Sequence, residues 1–284
     1  MVILSREAHV ALVGFIGSFC IFSLISFLNL WFQTTDLFLI NILIFCSFSF
    51  ILFAIINFVY KDYDYEIAIR AAFLGCVFAI GIYVKLGSPP NFENFGIYMC
   101  IMSIFHYTEF LVLALISPKL VSTKSFVLNH SSAYIFAAVF SWVEFFIEAY
   151  FWPSIKTYYV ISYMGCAICI AGDILRKTAM LNAGTNFNHL VQFEKADDHI
   201  LVTSGVYGLF RHPSYVGWFY WSIGTQIILL NPISIVGYAI ASWLFFKQRI
   251  FIEEITLLNF FGHQYCDYQN KVGTGLPFIK GHLI

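Results

Sequence analysis

Eight apolar runs dominate this chain, and six of them approach the roughly 20 residues that an α-helix needs to cross a bilayer. They fall near 9–31, 37–60, 67–86, 94–117, 130–152 and 158–181, followed by two shorter runs at 214–230 and 233–246. Breaks such as Gln33-Thr34-Thr35-Asp36, Lys61-Asp62-Tyr63-Asp64, Gly87-Ser88-Pro89-Pro90, Pro118 to Lys124 and Pro153 to Lys156 carry the polarity or Pro/Gly punctuation that ends a span. Asn231-Pro232 separates the last two runs so tightly that a helical hairpin over 213–250 is expected. With 60% hydrophobic and 11% charged residues, the 284-residue chain lies outside the range of soluble domains. The predicted fold is an all-α polytopic integral membrane protein with about eight transmembrane helices. Residues 1–183 supply six of them. Residues 184–284 form a catalytic region: a polar connector, the hairpin and a C-terminal cytoplasmic segment from 247 onward.

Charge distribution sets the orientation. If the N-terminus is cytoplasmic, the cytoplasmic connections carry Arg6, Lys61, Lys119, Lys124, Lys177, Lys195, Arg211, Lys247, Arg249, Lys271 and Lys280, and the opposite side only Lys85 and Lys156. The positive-inside bias thus predicts an even span count and both termini in the cytoplasm. Arg6 precedes a long apolar run with no clear small-residue cleavage site, so a retained first span is expected. The net charge of −1 argues against a nucleic-acid partner. Cys20, Cys46, Cys76, Cys100, Cys166 and Cys169 all fall in apolar runs, and even the Cys166-x-x-Cys169 spacing reads as packing.

Polar groups are scarce, so their positions are informative. Glu109, Glu144 and Glu148 lie in or near spans, where a carboxylate is a functional candidate unless it bonds a neighbouring helix; for Glu144 and Glu148, near a span end, the structural role is favoured. Asp173 and Arg176 are spaced to pair at i,i+3 near the end of the sixth span. The densest polar grouping comes later, in three stretches: Asn186 to Val202, Gly205 to Gly217, and Lys247 to Glu254. Within the second, Arg211-His212-Pro213-Ser214-Tyr215 precedes an apolar run, and Pro213 marks a helix start. Arg211 and His212 therefore sit at a helix N-terminus, which favours an anion. In the third, Arg249 and Glu253 share a helix face, either as an exposed ion pair or as two walls of one pocket. No metal site is expected from His189, His199, His212 and His263, which lack close ligand spacing. Gly205, Gly208 and Gly217 form no dinucleotide fingerprint, and no nucleophile elbow is present.

These stretches resemble the isoprenylcysteine carboxyl methyltransferases. The resemblance rests on Gly184 to His189 (G-T-N-F-N-H), His199 to Tyr207, Arg211 to Gln226 and the tail Gly275 to Lys280 (G-L-P-F-I-K), and is close from about 172 to 281. The R-H-P-x-Y-x-G element alone also occurs in phospholipid methyltransferases and sterol reductases; the flanking motifs make the combination specific. The family's acidic run after Arg249 is interrupted by Phe251 and Ile252, leaving Glu253 and Glu254. The resemblance implies an endoplasmic-reticulum membrane enzyme with prenylated, CaaX-processed proteins as partners. It would move a methyl group from S-adenosylmethionine to the carboxylate of a C-terminal farnesyl- or geranylgeranyl-cysteine, leaving S-adenosylhomocysteine. By motif, the cofactor contacts would be Gln192, His199, Ile200, Leu201, Val202, Tyr207, His212, Pro213, Ser214, Tyr215 and Glu253, with Arg249 holding the acceptor.

The residue chemistry suits that reading. His212 beside a helix N-terminus suits the carboxylate of the donor's methionine part, Glu253 a cationic or N–H group, and the backbone of Ile200 to Val202 an adenine edge. An anionic acceptor needs no general base, so rate would come from positioning and desolvation, with the planar fork of Arg249 gripping the acceptor carboxylate. Two alternatives use other acceptors or donors: a phospholipid N-methyltransferase, whose amine acceptor has less use for Arg249, and a sterol reductase with a nicotinamide cofactor.

Overall fold

The computed structural model describes residues 4–31, 38–129 and 131–282, and among these the regular structure is helical throughout. The expected break at Gln33 to Asp36 lies outside the described residues. In chain order the helices are α1 (Arg6–Trp31), α2 (Phe38–Val59), α3 (Asp62–Gly87), α4 (Glu93–Ile116), α5 (Ser132–Phe151), α6 (Tyr159–Ala183), α7 (Pro213–Leu229), α8 (Pro232–Phe261) and α9 (His263–Lys271). Five helical stretches among the described residues are long and apolar enough to cross a membrane: Asp62–Gly87, Glu93–Ile116, Ser132–Phe151, Tyr159–Asn186 and Pro232–Phe261. The chain divides into two compact units, one of residues 1–132 with 148–159, the other of 133–147 with 160–284.

In the first unit α1, α3 and α4 pack around a core that includes Ala8, Phe15, Ile67, Ala71, Leu74 and Phe110. Two stacked aromatic pairs reinforce it, Phe15 on Tyr107 at 4.0 Å and Phe110 on Phe126 at 4.1 Å between ring centroids. The Pro153–Thr157 turn is tied down by Lys156, whose fully buried ammonium donates to Glu148 at 2.6 Å. The backbone oxygen of Lys156 accepts from Asn94 at 2.7 Å. Glu148 is therefore a structural anchor, as favoured from its place near a span end. Glu109 is fully buried in α4.

The second unit carries the polar region. Helices α6 and α7 meet along small residues, because two backbones approach closely only where side chains leave room. A Cβ added at Gly172 would lie 2.6 Å from the Gly217 oxygen, and one at Gly165 would lie 2.6 Å from the Ile228 nitrogen. Cys169 lies on the same face, fully buried, its Sγ 3.3 Å from the Trp221 oxygen. The packing role expected for this cysteine is what the structure shows.

Leu230 in the left-handed region (φ 56°) ends α7 and turns the chain into α8. The N-terminus of α8 leaves backbone N–H groups without intrahelical partners. Glu144 of α5 meets them, accepting from Ile233 N at 2.7 Å and Ser234 N at 2.8 Å. The favoured structural role of Glu144 is thus a cap in trans, and it joins α5 to the α7–α8 turn.

Near the end of α6, Asp173 meets Lys177 at 3.1 Å across i,i+4. Arg176 reaches across to α7, donating to Ser214 Oγ at 2.5 Å and lying 4.6 Å over the Trp218 ring. The α6–α7 backbone contact brings Ser214 and Trp218 within its reach.

The largest departure from the sequence reading is the length of α8. It continues past the expected hairpin end at residue 250 to Phe261, a rod of 30 residues and about 45 Å. The charged residues after 246 remain helical because they have large side chains with adequate helix propensity and no Gly or Pro before Gly262.

Gly172→Val should destabilise the protein by about 1–3 kcal/mol through overpacking. Gly237→Ala, whose Cβ meets nothing within 4 Å, should be neutral or slightly stabilising. Thermal midpoints of both variants in detergent test the close-packed helix pair.

Candidate functional site

A cavity, partly open to solvent, lies between the 186–202 connector, the start of α7, the second half of α8 and α9. Its lining includes Gln192, His199, Ile200, Leu201, Val202, Tyr207, His212, Pro213, Ser214, Tyr215 and Glu253. Residues drawn from the three polar stretches of sequence are therefore brought to one wall-lined space. Arg249 is outside the lining but adjoins it. Its Nε donates to the Tyr215 hydroxyl at 2.8 Å and its Nη2 to the His189 oxygen at 2.5 Å. The same hydroxyl donates to Glu253. Arg249 and Glu253 are joined through Tyr215 and not by a direct ion pair.

His212 caps α7, with Pro213 in the first turn, as the sequence indicated. Its ring stacks on Tyr215, the planes 3° apart and the centroids 5.5 Å apart. Arg211 also lines the cavity, and the anion its charge meets lies within the protein. Its guanidinium is buried and turned inward, Nε donating to Glu254 Oε1 at 2.9 Å, Nη2 to Lys280 O at 2.9 Å and Nη1 to the Val272 oxygen. The physical reason is Glu254, a fully buried carboxylate that requires a cation.

Glu253 and Glu254, adjacent in sequence, project from α8 on different sides. Glu253 faces the cavity. Glu254 is saturated: His212 Nε2 at 3.1 Å and Tyr265 Oη at 3.2 Å join Arg211 on Oε1, while Gln269 Nε2 at 3.1 Å and His282 N at 2.7 Å reach Oε2. Gly281 passes so close that an added Cβ would lie 1.9 Å from Glu254 Oε2, at φ +80°. Only glycine fits there.

The connector is held by Asn186, whose Oδ1 accepts from Ile200 N at 2.9 Å and which also lines the cavity. Helix α9 is fastened to the 205–208 turn by Tyr268, which donates to the Tyr207 oxygen at 2.5 Å. Burial pushes the Tyr268 phenol up to about 12, and burial with Glu254 raises that of Tyr265. Both therefore act as neutral donors. His199 lies edge-on to Phe260 and Phe261, with ring centroids 5.7 and 5.4 Å away. Burial, then the neighbouring charge of Lys195, lowers its pKa, with Asp198 opposing.

Sequence reasoning singled out Asn186, Phe187 and Arg211 without assigning them to the cofactor, and missed Thr256, Leu257, Phe260, Phe261, Tyr265 and Tyr268 as lining residues. The available signal was the helical spacing of 253, 256, 257 and 260, visible once α8 is allowed to continue beyond 250.

Fold and site together define a class: a membrane protein, helical in the regular structure of its described residues, with a polar-lined cavity among the connector, α7, α8 and α9. Residues 164–259 match the family model of the isoprenylcysteine carboxyl methyltransferases. The chain is similar to the protein-S-isoprenylcysteine O-methyltransferase of Tribolium castaneum, 56% identical over 281 residues, covering 99% of this chain and 100% of that protein. It is also similar to the proteins of that name from Homo sapiens, at 54% identity with 80% of each chain covered, and from Saccharomyces cerevisiae, at 39% identity with 76% and 92% covered. A solved structure of the eukaryotic intramembrane Ras methyltransferase (isoprenylcysteine carboxyl methyltransferase) without a monobody superposes with a TM-score of 0.96 at 56% identity, covering 98% of this chain and 100% of that one. The chain belongs to the isoprenylcysteine carboxyl methyltransferase family.

Glu254→Ala should lower stability by about 3–5 kcal/mol, since it strands the buried Arg211; a thermal melt in detergent measures this. His199 has a folded-state pKa below its unfolded value of about 6.5. Protons then bind the unfolded chain first, so stability is lost as pH falls below about 6.5 and is unaffected above it. Melts of the wild type across pH 5–8 should show that loss, and His199→Gln should flatten it.

Proposed function

We propose that this protein esterifies the C-terminal carboxylate of prenylated, CaaX-processed proteins, with S-adenosylmethionine as methyl donor. The observation that carries the reading is the convergence on one cavity of the residues the family resemblance assigns to the donor, with Arg249 joined to that cavity through Tyr215. The proteins it resembles bear names for this reaction. The donor set fits the group chemically: a carboxylate at Glu253, an imidazole at a helix N-terminus, irregular backbone at 200–202, and aromatic walls at Phe260 and Phe261.

When bound, S-adenosylmethionine supplies an electrophilic methyl group on a sulfonium sulfur. Gln192, His199 to Val202, Tyr207, His212 to Tyr215 and Glu253 would hold it. Glu253 offers its anionic edge to N–H or cationic groups, and Tyr215 fixes that edge by donating to it. The acceptor carboxylate is already ionised at neutral pH, so no side chain must remove a proton. Arg249 presents planar donors to that carboxylate, and its contacts with Tyr215 and His189 fix the direction of the fork. Apolar surroundings strip water from the nucleophile, and alignment of acceptor with donor supplies the remaining rate.

The membrane arrangement belongs to the same proposal. Eight helices span the bilayer, including α1, α2 and the 17-residue α7 alongside the five already long enough. Both termini face the cytoplasm, as the lysine and arginine bias predicts, and residues 184–284 form the catalytic region. The membrane is that of the endoplasmic reticulum. The prenyl chain, farnesyl or geranylgeranyl, stays in the lipid while the soluble donor enters from the cytoplasm.

Purified protein should transfer labelled methyl to farnesylcysteine and not to phosphatidylethanolamine; the reverse preference would point to a phospholipid N-methyltransferase. Arg249→Ala should reduce turnover on the order of 10²–10³-fold while the thermal midpoint and S-adenosylhomocysteine affinity stay near wild type. Glu253→Gln should show the opposite pattern in calorimetry, with S-adenosylhomocysteine bound about tenfold or more weakly.

A further inference from the structure

A second cavity in the same unit is lined by Leu244, Lys247, Phe251, Phe278, Ile279 and Lys280, on the face of α8 away from the donor site. It is a groove between α8 and the C-terminal tail. The tail is fixed by Trp243 Nε1 donating to the Pro277 oxygen at 2.8 Å and by Thr274 Oγ1 donating to the Ile279 oxygen. Its tip, Phe278, is 95% exposed and has φ +61°, a backbone state that non-glycine residues rarely adopt. A phenylalanine held ring outward in that conformation offers an apolar surface at the rim of the groove.

Charge and depth indicate what fills the groove. Its lining carries two lysines and no acidic residue. Glu254, behind Gly281 at the rim, is already opposed by Arg211. Lys247 lies over the Trp243 ring at 5.0 Å, and tryptophan with lysine is the pairing found where hydrocarbon meets headgroups. If α8 enters the bilayer at Pro232, the roughly 20 residues needed to cross the hydrocarbon end near residue 251. Lys247, Phe251 and the tail then lie at headgroup level on the side of the donor site.

We propose that this groove binds an anionic phospholipid, with the phosphate between Lys247 and Lys280 and an acyl chain along Leu244, Phe251 and Phe278. This needs α8 to span the bilayer but does not depend on the methyl-transfer reading.

Native mass spectrometry of the full chain in detergent tests it, with phosphatidylserine, phosphatidylcholine, glycerophosphoserine and inorganic phosphate added separately and in competition. Phosphatidylserine should be retained in preference to phosphatidylcholine. Each lysine near a charged surface is worth about fivefold, so the pair together gives about twenty-fivefold. Lys247→Gln with Lys280→Gln should abolish that preference, and Lys247→Arg with Lys280→Arg should keep it. Phe278→Ser should weaken retention of both lipids. Equal retention of the two lipids by the wild type would overturn the proposal, as would an unchanged preference in the glutamine variant. Displacement of phosphatidylserine by equimolar inorganic phosphate or glycerophosphoserine would overturn the lipid as occupant.

Discussion

The carboxylate of Glu254 holds the functional half of this protein together. It is fully buried near the end of a long helix, and it accepts from Arg211, His212, Tyr265, Gln269 and the backbone of His282. Those donors come from the connector, the start of α7, α9 and the tail. A buried carboxylate is tolerable only when its lone pairs are filled and its charge is opposed. The desolvation cost thus acts as a constraint on geometry: each segment must be in place before the charge is satisfied, and the cavity wall is assembled as a consequence. Fixing His212 in this way also fixes the ring on which Tyr215 stacks, and Tyr215 in turn links Arg249 to Glu253.

Polar groups elsewhere are used in the same economical manner. Glu144 closes the N-terminus of α8, Lys156 and Glu148 neutralise each other, and Ser162 donates to the Ile228 oxygen across the α6–α7 pair. In an apolar solvent an unsatisfied group is costly, so polar side chains within spans serve helix ends and helix contacts. What remains for chemistry gathers at the cavity among the connector, α7, α8 and α9. The outward faces follow the same logic: Phe136, Val139, Val143, Ile147 and Tyr150 make an exposed apolar stripe along α5, as lipid contact requires.

Much of this was legible in the residues. Long apolar runs can only be helices in a bilayer, because a helix satisfies its backbone internally. The turn at Asn231-Pro232 and the helix start at Pro213 follow from proline's missing N–H and fixed φ. Motif resemblance named eleven of the lining residues between Gln192 and Glu253, since the side-chain chemistry at such sites is written directly in residue type. Less legible was the continuation of α8 to Phe261: a change from apolar to charged texture marks where a helix leaves the lipid, and the helix itself need not stop there. Four lining positions on that extension, Thr256, Leu257, Phe260 and Phe261, were lost with it.

By itself, the sequence determined the all-helical class, the place of the helix starts and the family, because these depend on local composition, backbone chemistry and residue identity. Tertiary structure alone decided which of two adjacent glutamates serves the cavity and which anchors it. Residues 253 and 254 are about 100° apart around a helix, and only the packing of Arg211, α9 and the tail around one side distinguishes those directions. The same holds for Arg211 and Arg249, two identical side chains. One is drawn inward by a buried carboxylate and the other is turned toward Tyr215. Charge type is local information; which partner meets that charge is a property of the assembled fold.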